Sequence, residues 1–114
     1  MKIRFDKKGD GCDHVMLSED LDYQGSSEMR AQLTRLVDDK AQKILLDFQG
    51  VPYIDSSGIA VFVEFYQKIK SHGGKLVFYN LSDAVRNIFE LAKLQLFFSI
   101  VGSEEEALTE LASH

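Results

Sequence analysis

The stretch Ile44-Leu45-Leu46-Asp47-Phe48-Gln49-Gly50-Val51-Pro52-Tyr53-Ile54-Asp55-Ser56-Ser57-Gly58-Ile59 decides the fold. Its first five residues form a mostly apolar run bounded by Gln49-Gly50 and by Pro52, which has no amide hydrogen for a ladder bond. They read as a short buried strand. From Ile59 onward, Phe62, Val63, Tyr66 and Ile69 recur at helical spacing, and Gly73-Gly74 supplies a stop. A strand therefore passes into an amphipathic helix through Asp55-Ser56-Ser57-Gly58. That element places two hydroxyls and a carboxylate where the strand ends and the unsatisfied amides of the helix begin.

The same alternation extends in both directions. Ile3 to Lys7 and His14 to Ser18 flank Gly9-Asp10-Gly11, which has the residues a hairpin needs for positive φ, so the first two strands are expected to be antiparallel. Ser26 reads as the cap of a first helix carrying Met29, Leu33, Leu36 and Val37 inward, with Glu28 in its first turn and an end near Lys40. Beyond the central helix, Lys75 to Tyr79 reads as a strand, and Ser82 caps a third helix with Val85, Ile88, Phe89 and Ala92 inward. Phe97 to Val101 gives a last strand, and Ser103 with Glu106 forms a capping box for a final helix carrying Ala107, Leu108 and Leu111. The order β-β-α-β-α-β-α-β-α predicts a single α/β domain over residues 1–114, with a mixed, mostly parallel sheet of about five strands and four helices.

Composition narrows the function classes. The chain has 114 residues, 13 basic against 18 acidic, and a formal charge of -5, with no basic cluster beyond Lys7-Lys8. Nucleic acid and direct binding to anionic membranes are disfavoured as partners. The longest unbroken apolar stretch, Ile59 to Val63, is far too short to span a bilayer, and the N-terminus lacks the apolar core of a signal peptide, so a cytoplasmic protein is expected. Cys12 is the single cysteine, which excludes an internal disulfide.

Two chemical readings compete at Asp55-Ser56-Ser57-Gly58. In one, Ser57 is the helix N-cap, worth about 1 kcal/mol, and Ser56 stands just outside the helix. A phosphate on Ser56 would then be favoured by the helix dipole, adding a charge of about -1.5 to -2 beside Asp55. In the other, a serine on a strand-to-helix turn acts as a hydrolytic nucleophile. That elbow wants glycine two residues to either side of the serine; Gly58 fits, but Ile54 occupies the other place. His72 precedes the Gly-Gly turn and His114 is terminal, so no histidine stands in a convincing position for a triad. An enzyme is not expected. Cys12-Asp13-His14 lacks a second ligand pair, so no metal site is expected. Gly73-Gly74 precedes a strand, whereas a phosphate loop opens a helix. Glu19, Asp20 and Asp22 form an acidic segment before the first helix, with Asp22 at a strand's C-terminal end, where open α/β sheets place functional groups.

Taken together, Ser18-Glu19-Asp20-Leu21-Asp22, Tyr53-Ile54-Asp55-Ser56-Ser57-Gly58-Ile59, Gly73-Gly74-Lys75-Leu76 and Val85-Arg86-Asn87-Ile88-Phe89-Glu90-Leu91 resemble the single-domain STAS proteins of the bacterial anti-sigma factor antagonist family. The resemblance spans nearly the whole chain. It implies that Ser56 is phosphorylated by a partner that is both anti-sigma factor and serine kinase of GHKL type, and that a PP2C-type phosphatase reverses the reaction. It further implies that the unmodified protein binds this kinase and frees its client, while the phosphorylated form lets go. ATP and Mg²⁺ belong to the kinase, so this chain needs no cofactor. By the same resemblance Asp55 orients the serine, Asp22 lies in the adjoining loop, and Ser57, Gly58 and Ile59 begin the docking helix.

On a helical wheel Phe65 lies at the edge of the apolar stripe and Val61 beyond it, which makes both candidates for an apolar contact with the partner, unless a neighbouring element buries them. The chain departs from the family pattern at Glu19 and Lys93, where the family favours glycine, and at Ala60 and Glu64, where small residues are common. An alternative function within the same fold is a scaffold or accessory subunit without a phosphorylation cycle, for example of a lipid-transport complex. The cytosolic tail of a membrane transporter is a third reading, disfavoured by the start at Met1 and by the lack of a spanning segment.

Overall fold

The computed structural model describes residues 2–8, 11–19 and 22–112. Its strands are β1 (Lys2–Lys8), β2 (Cys12–Ser18), β3 (Lys43–Gly50), β4 (Lys75–Tyr79) and β5 (Ser99–Val101). Its helices are α1 (Tyr23–Asp38), α2 (Ser56–Ser71), α3 (Asp83–Leu91) and α4 (Glu104–Ala112), with a single 3₁₀ turn at Leu94–Leu96. The strands lie in the order β1-β2-β3-β4-β5 in one sheet. β1 and β2 are antiparallel, with Phe5 opposite Val15, and every other pairing is parallel. The α/β architecture read from the sequence is the one observed. Of the hairpin residues, Gly11 has φ 79°, as its turn requires, while Gly9 and Asp10 lie outside the described residues.

Strand periodicity sorts the apolar residues onto two faces. Val15, Leu17, Ile44, Leu46, Phe48, Leu76 and Phe78 meet α1, α2 and α3 in one core with Met29, Leu33, Phe62, Ile69, Val85 and Phe89. An aromatic cluster sits at its centre: Phe48 and Phe62 have ring centroids 5.1 Å apart, and Phe78 stacks on Phe98 at 4.6 Å. The other face presents Cys12, Leu45, Val77 and Tyr79 to α4, which contributes Ala107 and Leu111. β3 reads as a continuous apolar run because both of its faces are covered.

Several local expectations are corrected. Asp22, not Ser26, caps α1: its Oδ1 accepts from the Gly25 amide at 2.8 Å, Ser26 lies buried inside the helix, and Glu28 falls beyond the first turn. α1 stops at Asp38 because Lys40, at φ 56°, turns the chain back, with Lys40 N donating to Val37 O and Ala41 N to Leu36 O. Gly73 and Gly74 close α2 by the same pair of bonds, to Lys70 O and Ile69 O. The last strand is shorter than Phe97–Val101, since Leu94 plugs the core and the Phe98 amide bonds back to Leu94 O, leaving Phe97 exposed ahead of Ser99. Ala92, expected inward, is the exposed C-cap of α3.

Val61 and Phe65 require the largest correction. Each is only 3% exposed, so neither offers a surface to a partner. The wheel shows the stripe that α2 turns to the sheet. It does not show α1, which lies alongside α2 and covers its flank with Leu33 and Val37.

Candidate functional site

The parallel strands β2, β3 and β4 end at one edge of the sheet, and α1, α2 and α3 begin there. Three helix N-termini thus gather on one side, capped by Asp22, Asp55 and Ser82. Between β3 and α2 the chain is pinned by two buried side chains, Val51 and Ile54, while Pro52 and Tyr53 face outward, Tyr53 being 49% exposed. The neighbouring segment is tied on as well: the Glu19 amide donates to Gly50 O at 2.7 Å. Glu19 sits at φ 73°, which is why a glycine would be at ease there. A side chain at Gly50 would in turn collide with Ser18, whose Cβ lies 2.7 Å from where a Cβ would stand.

At the junction itself Asp55, in extended backbone, is the N-cap. Its Oδ1 accepts from the Ser57 amide at 2.9 Å and the Gly58 amide at 3.3 Å, and its carbonyl accepts from Ile59 N at 3.1 Å. Ser57 is therefore not the cap, and Ser56 does not stand outside the helix: it is the first helical residue. Aspartate caps as well as serine does, and with Asp55 in place the two serines enter the first turn. Ser56 is exposed, Ser57 is half-buried, Gly58 is buried, and Ile59 packs partly against the core. Asp22 is exposed in its own cap beside this edge, while Asp20 and Leu21 lie outside the described residues.

The Ser56 hydroxyl has no base delivered to it by the described histidines. His14 is buried among β2, β3 and β4 on the α4 side. His72 ends α2, about 24 Å along a 16-residue helix, where its Nε2 lies 2.7 Å from Ala41 O. His114 lies outside the described residues. Among those residues, no group of three histidine, cysteine or carboxylate side chains is placed to hold a metal, and no helix is long and apolar enough to cross a membrane. What the junction offers is an accessible hydroxyl at a helix N-terminus whose next two amides are already satisfied.

Residues 7–107 match the STAS domain. The chain belongs to the STAS domain family. It is 29% identical over 98 residues to the anti-sigma F factor antagonist of Paenibacillus polymyxa, covering 85% of this chain and 84% of that protein. An anti-sigma factor antagonist from Mycobacterium paratuberculosis has a crystal structure that superposes with a TM-score of 0.89 at 20% identity, covering 98% of this chain and 94% of that one. The Bacillus cell fate determinant SpoIIAA in its phosphorylated form superposes with a TM-score of 0.73 at 20% identity, covering 96% and 98%. The STAS resemblance of the sequence and its fold are thereby established.

The cap role of Asp55 was within reach of the sequence, because aspartate followed by two serines and a glycine gives three consecutive cap formers. The exposure of Tyr53 follows from the burial of Val51 and Ile54, which bracket Pro52 and Tyr53.

Proposed function

We propose that this chain is an anti-sigma factor antagonist that works by partner switching in the cytoplasm, with Ser56 as its switch. The unmodified form binds a GHKL-type serine kinase that is also the anti-sigma factor, releasing the kinase's client. Phosphorylation of Ser56 ends the complex, and a PP2C-type phosphatase restores it. The observation that carries this reading is the exposed Ser56 at the first position of α2, held in place by the Asp55 cap. There the chain is the substrate of another enzyme's chemistry.

The physics of the switch follows from that position. A phosphate at the first helical residue lies at the favourable end of the helix dipole, so the folded state tolerates it. The Ser57 and Gly58 amides keep their bonds to Asp55, so no part of the helix need unwind. A partner pressed against the same spot must desolvate a phosphate standing beside a carboxylate, at a cost on the order of 2–5 kcal/mol. Asp22, Asp55, Ser57, Gly58 and Ile59 frame the contact, Asp55 and Gly58 chiefly by shaping the turn.

The test is binding of the cognate kinase by calorimetry to Ser56→Ala and Ser56→Asp. Ser56→Ala should bind like the parent protein, and Ser56→Asp should lose roughly 30-fold or more. Equal, tight binding by both variants would overturn the switch and favour a constitutive scaffold.

A further inference from the structure

The sheet face beneath α4 holds a buried histidine that the switch does not use. His14, on β2, is 4% exposed. Its Nε2 lies 3.1 Å from the Tyr79 hydroxyl, and that hydroxyl donates to Asp47 Oδ2 at 3.0 Å. A phenol has one proton to give. Burial first, then the hydrogen bond and charge of Asp47 and the charge of Glu104, push the Tyr79 ionisation upward, so that proton stays committed to Asp47. Toward His14 the phenol oxygen can only accept, and Nε2 must carry a hydrogen. In the neutral ring Nδ1 is then a bare lone pair. It is buried without a hydrogen-bond partner, and it lies 3.9 Å from Glu104 Oε1. A lone pair facing a carboxylate oxygen is an acceptor aimed at an acceptor; one added proton turns the pair into donor and anion.

We infer that His14 and Glu104 form a proton-operated clasp that fastens the first turn of α4 to β2. The groups facing the ring come from every element around it. Asp47 Oδ2 on β3 is 3.7 Å from Nε2, Tyr79 on β4 is neutral, Glu104 opens α4, and Asp6 on β1 is the exposed cross-strand partner of His14. The charged groups within 4 Å of the ring, Asp47 and Glu104, are both carboxylates, so a positive ring is attracted from β3 and α4 alike, while Arg4 on β1 pairs with Met16 further along the same face. α4 is a short helix that buries only Ala107 and Leu111, so a tie at its first residue bears on how firmly the whole helix is held. The ion pair exists only with the ring charged. It therefore adds to the hold on α4 when the ring carries its second proton and is lost when that proton leaves.

The experiment is amide hydrogen exchange on the full chain at about pH 7.5 and about pH 5.5, corrected for intrinsic rates and read together with imidazole nitrogen spectra. Protection of Ala107 to Leu111, relative to the amides of α2, should rise roughly threefold at the lower pH, the scale of a partly exposed ion pair. Glu104→Gln should abolish the rise. Glu105→Gln, which removes an exposed charge from the same turn, should keep it. The ring should carry its hydrogen on Nε2 at the higher pH and on both nitrogens at the lower. An Nδ1–H tautomer at the higher pH, an absent rise in the parent protein, or an equal rise in Glu104→Gln would overturn the clasp.

Discussion

The two faces of the sheet are built by different means. Under α1, α2 and α3 the strands present phenylalanine and aliphatic side chains, with Phe48 touching Phe62, Phe78 and Phe89. Under α4 a much smaller apolar cluster shares its face with a hydrogen-bonded chain running from His14 through Tyr79 to Asp47, whose other oxygen accepts from Asn80 Nδ2 and the Gln49 amide. The first face gains its stability from removed apolar surface, which is indifferent to pH. The second depends in part on a buried chain of polar hydrogen bonds. A protein can thus keep a rigid platform for one loop while leaving its opposite side responsive to its surroundings.

Truncation separates the two faces most directly. Phe48→Ala should cost about 4 kcal/mol in urea denaturation and Leu111→Ala about 2 kcal/mol, because the small cluster under α4 has less to lose. Equal costs would show that the two faces contribute alike. Tyr79→Phe sharpens the contrast, since it strips one donor from Asp47 while barely changing shape; a loss of about 1–2 kcal/mol is expected. Because the folded state raises the Tyr79 ionisation, its contribution is full below about pH 10 and falls away progressively above it. The alkaline loss of stability should accordingly be shallower in Tyr79→Phe.

Smaller effects come from the seams between the layers. Glu19 and Lys93 hold φ of 73° and 59°, so replacing either with glycine should raise the unfolding free energy measured in urea, by up to about 1 kcal/mol each. Outside the first face, Glu64 joins Arg30 on α1 to Lys68, both at 3.0 Å. The hydrogen bond from Lys68, opposed by burial and helped by the charges of Lys68 and Arg30 and the hydrogen bond from Arg30, holds its carboxyl below the usual range. That contribution is present at neutral pH and fades as pH falls through the lowered value. Glu64→Gln should cost under about 1 kcal/mol, and the difference should vanish in about 1 M salt.

The architecture was legible because periodicity alone separates strands from helices, as in Ile44 to Phe48 against the spaced residues Ile59 to Ile69. The site was legible as a motif, since hydroxyls and a carboxylate at a strand-to-helix junction have few roles. The division of labour within it was not, because Asp55, Ser56 and Ser57 are all competent caps and only backbone geometry chooses among them. Val61 and Phe65 were misplaced for a different reason: a wheel describes one helix, and their burial is a property of two. Phe97 and Phe98 look equivalent in sequence, yet a left-handed Lys93 and the turn after it send one out and the other in. The chain from His14 to Asp47 joins residues 65 and 32 positions apart, a separation no local pattern reveals.

β5 is only three residues long, and β1, seven residues long at the opposite margin, contains Lys2, Arg4, Lys7 and Lys8 in a chain that is acidic as a whole. Every open sheet exposes unpaired amides and carbonyls at its rims, and these invite further strands to add on. Here one rim is too short to template such growth, and the other is basic in sequence, which disfavours pairing between two copies. A mixed sheet with two apolar faces in this way limits strand addition at both of its margins.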